Sequence, residues 1–171
     1  CGRYEGIDER VFAYAESDLP DFAPVFRGIV ADGETYAYPE GLSDTEIQAL
    51  WWEPEPGHTV VARTSDRRLL GSAKMGPNRP GRGAHIGTAS FMVAHDARGS
   101  GVGRGLLDYV IDWHRRQGYA GIQFNAVVET NTAAVRLWES VGFRIIGTVP
   151  GAFVSARHGA VGLHVMFLPL A

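Results

Sequence analysis

The chain has a single cysteine, Cys1, among its 171 residues. An intramolecular disulfide and a cysteine-rich metal site are therefore excluded. No run approaches the ~18 consecutive apolar residues of a membrane-spanning helix, and the N-terminal stretch has no apolar signal-peptide core, so the expectation is a soluble, cytoplasmic protein with no membrane partner. There is little net charge: the formal value of -3 offers no overall attraction to nucleic acid. His158 and His164 are too poorly spaced and too isolated to argue for a metal site. Internal repeats, low-complexity tracts and domain linkers are also missing. With 45% hydrophobic residues, residues 1–171 suit one globular domain, large enough to bury roughly 70% of the surface of its unfolded chain.

What the chain does have is glycine, 22 residues in all, four of them at alternate positions as Gly99, Gly101, Gly103 and Gly105. The apolar run Ala89-Ser90-Phe91-Met92-Val93 precedes them and the amphipathic stretch from Leu106 follows, which gives the order strand, loop, helix. Glycines leave room for backbone N–H groups to approach a ligand at a helix start, where the helix dipole also favours an anion. Arg98 and Arg104 add positive charge, so a phosphate or pyrophosphate is the natural guest. A flexible surface loop is the alternative, because glycine repeats alone are unspecific. No Gly-Lys-Ser/Thr follows, which rules out a P-loop. The dinucleotide spacing Gly-x-Gly-x-x-Gly begins at Gly99 and Gly101 but Arg104 does not complete it.

Along the rest of the chain, Val11 to Ala15 fits a first strand. Asp18 or Asp21 can cap a helix carrying Phe22, Val25, Phe26, Ile29 and Val30, with Gly33 at its end. Pro24 favours Asp21 as the cap, because proline then lies in the first turn. Ser43 with Glu46 predicts a capping box for a second helix through Ile47, Leu50 and Trp51. His58 to Arg63 and Leu69 to Met75 predict a hairpin, and Ala84 to Val93 the strand that enters the glycine loop. In the helix that follows, Leu106, Val110 and Trp113 share a face with Leu107 and Ile111, while Asp108, Asp112 and Arg116 lie opposite. Gly118 stops it. A strand over Ile122 to Val128, a helix from Asn131 to Ser140, and strands over Phe143 to Val149 and Val161 to Leu168 complete an alternation typical of an α/β sheet.

Arg98-Gly99-Ser100-Gly101-Val102-Gly103 resembles the pyrophosphate-binding signature of the GCN5-related N-acetyltransferases (GNAT). Downstream, Asn125 and Asn131 around a strand-to-helix turn, and Gly142-Phe143 at the next helix end, continue that resemblance from about Ala84 to Gly147. It implies the GNAT fold: a central mixed, mostly antiparallel sheet with a splayed strand pair and flanking helices. It also implies acetyl-CoA as cosubstrate, held by Arg98, Gly99, Ser100, Gly101, Val102, Gly103 and Arg104, with a backbone N–H near Met92 or Val93 at the thioester carbonyl. A narrower likeness, in Phe124-Asn125, Val128-Glu129-Thr130-Asn131 and Arg136-Leu137-Trp138, is to the proline-analogue acetyltransferases that act on azetidine-2-carboxylate. By that likeness Asn125 points to the substrate and Asn131 contacts acetyl-CoA. An N-cap explains Asn131 equally, and Asn125 reads as well as a polar residue satisfied within the sheet. Dimers are common in the family, so a homodimer is a further expectation.

Two positions depart from the pattern. Thr88 stands where the narrower group has a substrate-contacting asparagine, and offers one hydroxyl in place of an amide. Trp138 stands where the family commonly has a tyrosine that protonates the departing thiolate; an indole N–H cannot, and a core position on its helix explains it. A thiol of the cysteine class titrates at about 8.5, so CoA thiolate can leave with water as the proton source. For a base, His85 is the only near-neutral titrating side chain on its strand. Glu34, Tyr36 and Tyr38 lie in the loop that forms an acceptor wall in the family, where they can bind an amine, donate a proton or order the loop. The function expected is acetyl transfer to the amine of a small, amino-acid-like acceptor by direct attack in a ternary complex. A non-catalytic acyl-CoA-binding module and a protein N-acetyltransferase are the alternatives.

Overall fold

A computed structural model describes residues 9–170; Cys1 lies outside the described residues. Seven strands form one sheet in the order β1-β2-β3-β4-β5-β7-β6: β1 (Glu9–Ala13), β2 (His58–Thr64), β3 (Leu69–Pro77), β4 (Ile86–Val93), β5 (Gly121–Val128), β6 (Arg144–Ser155) and β7 (Gly159–Pro169). Helices α1 (Leu19–Asp32) and α2 (Asp44–Trp51) pack on one face, and α3 (Val102–Arg116) on the other, while α4 (Thr132–Ser140) joins β5 to β6. Every neighbouring pair is antiparallel except β4 and β5, which run parallel because α3 is the crossover between them. Among the described residues no helix is long and apolar enough to cross a membrane.

Each face of the sheet has its own core. Leu106, Leu107, Val110, Ile111 and Trp113 of α3 are buried against Val60, Leu70, Ala73 and Ile122. On the other side Phe22, Phe26, Ile29 and Val30 of α1 meet Ile47 and Trp51 of α2 over Val61 and Met92. The helical spacing of these residues is what the sequence predicts. The capping box also forms: Ser43 Oγ accepts from the Glu46 N–H at 3.3 Å, and Glu46 Oε2 accepts from the Ser43 N–H at 2.8 Å.

Three local expectations are corrected. The N-cap of α1 is Asp18, so Pro24 falls inside the helix and withholds the N–H that the Pro20 carbonyl would accept. Asp18 meets the Arg63 guanidinium at 2.6 Å. The first strand covers Glu9–Ala13 rather than Val11 to Ala15. Strand β6 continues to Ser155, well past Val149, with register shifts between Ile145 and Gly147 and between Val149 and Phe153. Pro150 lies in the second of these irregularities on an edge strand, where a missing N–H interrupts no inner ladder.

Candidate active site

Strands β4 and β5 pair only at their start, Ile86 with Gly121 and Gly87 with Ile122. Beyond Gly87 they part, and β5 is held by β7 on its other side. The gap between them is part of a cleft of about 710 Å³. Two hydrogen bonds show which β4 backbone groups face it. Tyr36 Oη accepts from the Phe91 N–H at 2.9 Å and donates to the Phe91 carbonyl at 2.5 Å, whereas the Ala94 N–H donates to the Leu70 carbonyl, next to β3, at 2.8 Å. Backbone direction alternates along an antiparallel strand, and no register shift interrupts β3 and β4. Ala89, Phe91 and Val93 therefore turn their N–H and C=O groups toward the gap, and Met92 turns its own back to β3. Both positions expected at a thioester, Met92 and Val93, line the cleft; the backbone direction suits Val93, whereas the Met92 N–H faces β3 and its side chain is 1% exposed.

Tyr36 has a different part from the catalytic one expected of it. Splaying leaves the Phe91 backbone without a β5 partner, and the Tyr36 hydroxyl supplies both missing bonds. Its ring stacks on Tyr38 at 5.6 Å and meets Trp51 edge-on at 6.3 Å. Burial pushes the phenol well above its ordinary range. Tyr36 is thus a brace for the open strand. Tyr36→Phe is expected to lower stability by ~1–3 kcal/mol, because it orphans a buried N–H and carbonyl. Urea denaturation checks this, and an unchanged midpoint would show that water replaces the hydroxyl.

The glycine turn at the start of α3 has the backbone that its spacing suggests. Gly99 and Gly101 adopt positive φ, 75° and 91°, and Gly101 is the N-cap of α3. Gly103, in the first turn of α3, would place a Cβ 3.5 Å from Leu137 Cδ2, which brings this turn close to α4. Arg98, Gly99 and Gly103 line the cleft. Ser100 instead donates its hydroxyl to the Ala97 carbonyl, Val102 is buried, and Arg104 Nε pairs with Asp108 at 2.9 Å. Asp32, at the end of α1, accepts from His95 at 2.6 Å and lies 3.4 Å from Arg98. The His95 hydrogen bond, then the charges of His95 and Arg98, hold its carboxyl below the usual range. Across the gap Asn131 Oδ1 caps α4 by accepting from the Ala134 N–H at 3.4 Å, while the residue also lines the cleft.

At the other end stand Thr88, Tyr38 and Asn125, all lining the cleft. Asn125 donates from Nδ2 to Asn78 Oδ1 at 2.6 Å and accepts from Gln123 at 2.9 Å. It is both satisfied within the sheet and presented to the cleft. Glu34 also lines it, but both carboxylate oxygens are engaged: Ser155 Oγ donates to Oε2 at 2.7 Å and the Arg157 N–H to Oε1 at 3.0 Å. With the Ala156 N–H on the Gly33 carbonyl at 3.0 Å, Glu34 clamps the turn after β6 to the loop after α1. Gly33 permits this approach, having φ 66° and no Cβ to collide with Ala156 at 2.9 Å.

His85 is corrected as a candidate base. It precedes β4, is exposed, and does not line the cleft; its carbonyl accepts from the Ala120 N–H at 2.9 Å, at the closed end of the strand pair. Conversely, the cleft recruits residues that the sequence pattern does not single out. Phe153, Arg157 and His158 arrive because β6 is longer than its apolar pattern suggests. Thr35 and Thr130 bring buried hydroxyls that have no hydrogen-bond partner among the described residues. Trp138, 8% exposed, packs on Phe91 at 4.9 Å and Phe124 at 5.1 Å, in keeping with a core residue at the cleft wall.

The geometry invites comparison with known proteins. Residues 24–143 match the family model described as Acetyltransferase (GNAT) family. The structure of a GCN5-related N-acetyltransferase from Kribbella flavida is similar at TM-score 0.92 with 55% identity, over 95% of this chain and 98% of that one. An L-methionine sulfoximine/L-methionine sulfone acetyltransferase from Pseudomonas aeruginosa is 30% identical over 78% of this chain and 79% of its own length. The N-acetyltransferase aca1 from Schizosaccharomyces pombe is 37% identical over 58% of this chain. The chain spans less than half the length of the matched relatives from Saccharomyces cerevisiae and Schizosaccharomyces pombe, 14% and 47% respectively. With a splayed β4–β5 pair, a glycine turn at the start of α3 and these similarities together, the chain belongs to the GNAT family of acetyltransferases.

Proposed function

We propose that the protein is an acetyl-CoA-dependent N-acetyltransferase whose acceptor is a small amino-acid-like amine, attacked directly in a ternary complex. One observation supports the reading: a single cleft lined by Arg98, Gly99 and Gly103 around the start of α3 is lined also by the polar residues Thr88 and Asn125 on either side of the open β4–β5 gap. Arg98 and the N-terminal turn of α3 hold the pyrophosphate, Asn131 contacts the cofactor arm, and the Val93 N–H, aimed into the gap, polarises the thioester carbonyl as negative charge develops on its oxygen. Thr88, Tyr38 and Asn125 orient the acceptor. Trp138 shapes the wall without donating a proton, so the thiolate leaves and takes its proton from the amide being formed or from water.

A small polar acceptor agrees with the amide and hydroxyl groups at that end and with the substrates named for the Pseudomonas aeruginosa relative. Proline analogues stay within this class, although Thr88 replaces the asparagine of that group. Thiol release from acetyl-CoA is the test, over methionine sulfoximine, methionine sulfone, azetidine-2-carboxylate, proline and an N-terminal peptide. Turnover with a free amino-acid analogue is expected. If acetyl-CoA raises the melting temperature and no amine releases CoA, the chain is a binding module. Release with the peptide alone would make it a protein acetyltransferase.

A further inference from the structure

We propose that His158 is the general base that takes the proton from the acceptor amine, and that the clamp through Gly33 and Glu34 positions it. This rests on the acetyltransferase reading above. An amine with an ordinary pKa reaches the site as ammonium and must lose a proton before it can attack. Sequence likeness supplies no residue for that step, and the strand histidine, His85, is outside the cleft.

The titratable and charged side chains lining the cleft narrow the choice. Asp32 is committed to His95 and Arg98. Glu34 accepts from Ser155 and from the Arg157 backbone, so its carboxylate is already engaged in holding the β6–β7 turn. Tyr36 is bonded twice to Phe91, and Tyr38 is stacked on Tyr36 and Phe26 at 5.6 and 5.3 Å. Arg98 and Arg157 are permanent cations and cannot act as bases. His158 is the one imidazole on the cleft wall among the described residues. Imidazole exchanges protons nearest neutral pH of all side chains.

Its placement is built. Ser155, 3% exposed, receives the His158 N–H on Oγ at 3.0 Å and passes its own hydrogen to Glu34. The Ala156 N–H on Gly33 adds a second tie. A turn between two strands on one side of the sheet is thereby fixed to the loop that carries Tyr36 and Tyr38. The fastening holds the backbone that carries His158 beside the cleft, which its side chain lines.

In the step proposed, a ring nitrogen of His158 takes one proton from the ammonium. The freed amine lone pair adds to the thioester carbonyl carbon, forming C–N as C–S breaks, with the bonding pair leaving on sulfur. The second N–H proton of the new amide neutralises the thiolate, directly or through water, and the imidazolium returns its proton to solvent.

The test compares wild type with His158→Gln, using each amine of the panel above that releases CoA. Wild-type kcat should exceed that of the variant most where the amine is still protonated. The variant should lose ~100-fold in kcat near pH 7, recover toward alkaline pH where the amine sheds its own proton, and keep its acetyl-CoA affinity and melting temperature. Added imidazole should restore part of the rate to His158→Ala. A variant with the wild-type kcat profile overturns the assignment while leaving the acetyltransferase reading intact. Loss of acetyl-CoA affinity and melting temperature in step with the rate overturns it in favour of a structural turn. A wild type that releases CoA with no amine overturns both.

Discussion

Replacing Gly87 by alanine is expected to destabilise the protein by ~3 kcal/mol or more, the upper end for overpacking a close-packed core. A Cβ there would lie 2.2 Å from His114 Cδ2 and 2.3 Å from His114 Nε2. His114 cannot retreat. It is fully buried, its Nδ1 donates to the Val110 carbonyl at 2.8 Å, and the Trp113 and Tyr119 rings flank it at 4.9 Å each. Burial lowers the imidazole pKa, so the ring stays neutral and acts as part of the core. The strain must pass to the β4 backbone, at the residue where pairing with β5 ends. Thermal melting should show a drop of about 10 °C, and kcat should fall further than stability alone explains, because the opening of the cleft starts at this point. His114→Ala in the same chain should return part of the loss. Simple addition of the two single-variant effects would mean that the collision is not the cause.

Arg63→Ala is expected to cost ~3–5 kcal/mol, as for other buried charges stripped of their partner. The Arg63 guanidinium reaches Asp18 at 2.6 Å and Asp21 at 2.9 Å and donates to the Arg67 carbonyl at 2.5 Å. Both Arg63 and Asp18 are largely buried, so removing the arginine leaves a poorly hydrated carboxylate without its cation. Asp18 also accepts from the Ala15 N–H at 2.7 Å, so its loss of alignment would loosen the entry to α1. Asp18→Asn added to Arg63→Ala should recover a substantial share of the stability, since it removes the stranded charge. Asp21, with a side chain 56% exposed, should contribute within about 1 kcal/mol when replaced by alanine. Equal costs for Asp18 and Asp21 replacements in denaturant titrations would contradict the burial argument.

Much of the molecule was legible along the chain because local rules act on neighbours. The helix periods from Phe22 to Val30 and from Leu106 to Trp113, the Ser43–Glu46 box and the hairpin from His58 to Met75 each depend on residues a few positions apart. The turn from Arg98 to Gly103 is likewise local: its glycines permit positive φ and a close helix start wherever the rest of the chain goes. Where a distant partner competes, the local rule fails. Pro24 pointed to Asp21 as the cap of α1, yet the cap is Asp18, and Arg63, arriving on β2 from 45 residues away, pairs with both aspartates.

The family and its fold were written in the order of short segments: apolar strand, glycine turn, amphipathic helix, and the asparagines beyond. Which groups face the gap was a tertiary matter. Period two sorts Val93 from Met92, but only β3 on one side and an absent β5 on the other decide which backbone is left free for chemistry. Tyr36, legible as a phenol in a binding loop, becomes a brace because splaying creates unpaired groups that exist in no linear pattern. Glu34 and the turn that carries His158 are brought together for the same reason. They are far apart in the chain, and the place of that β6–β7 turn is set by sheet order and by the fit of Gly33 against Ala156.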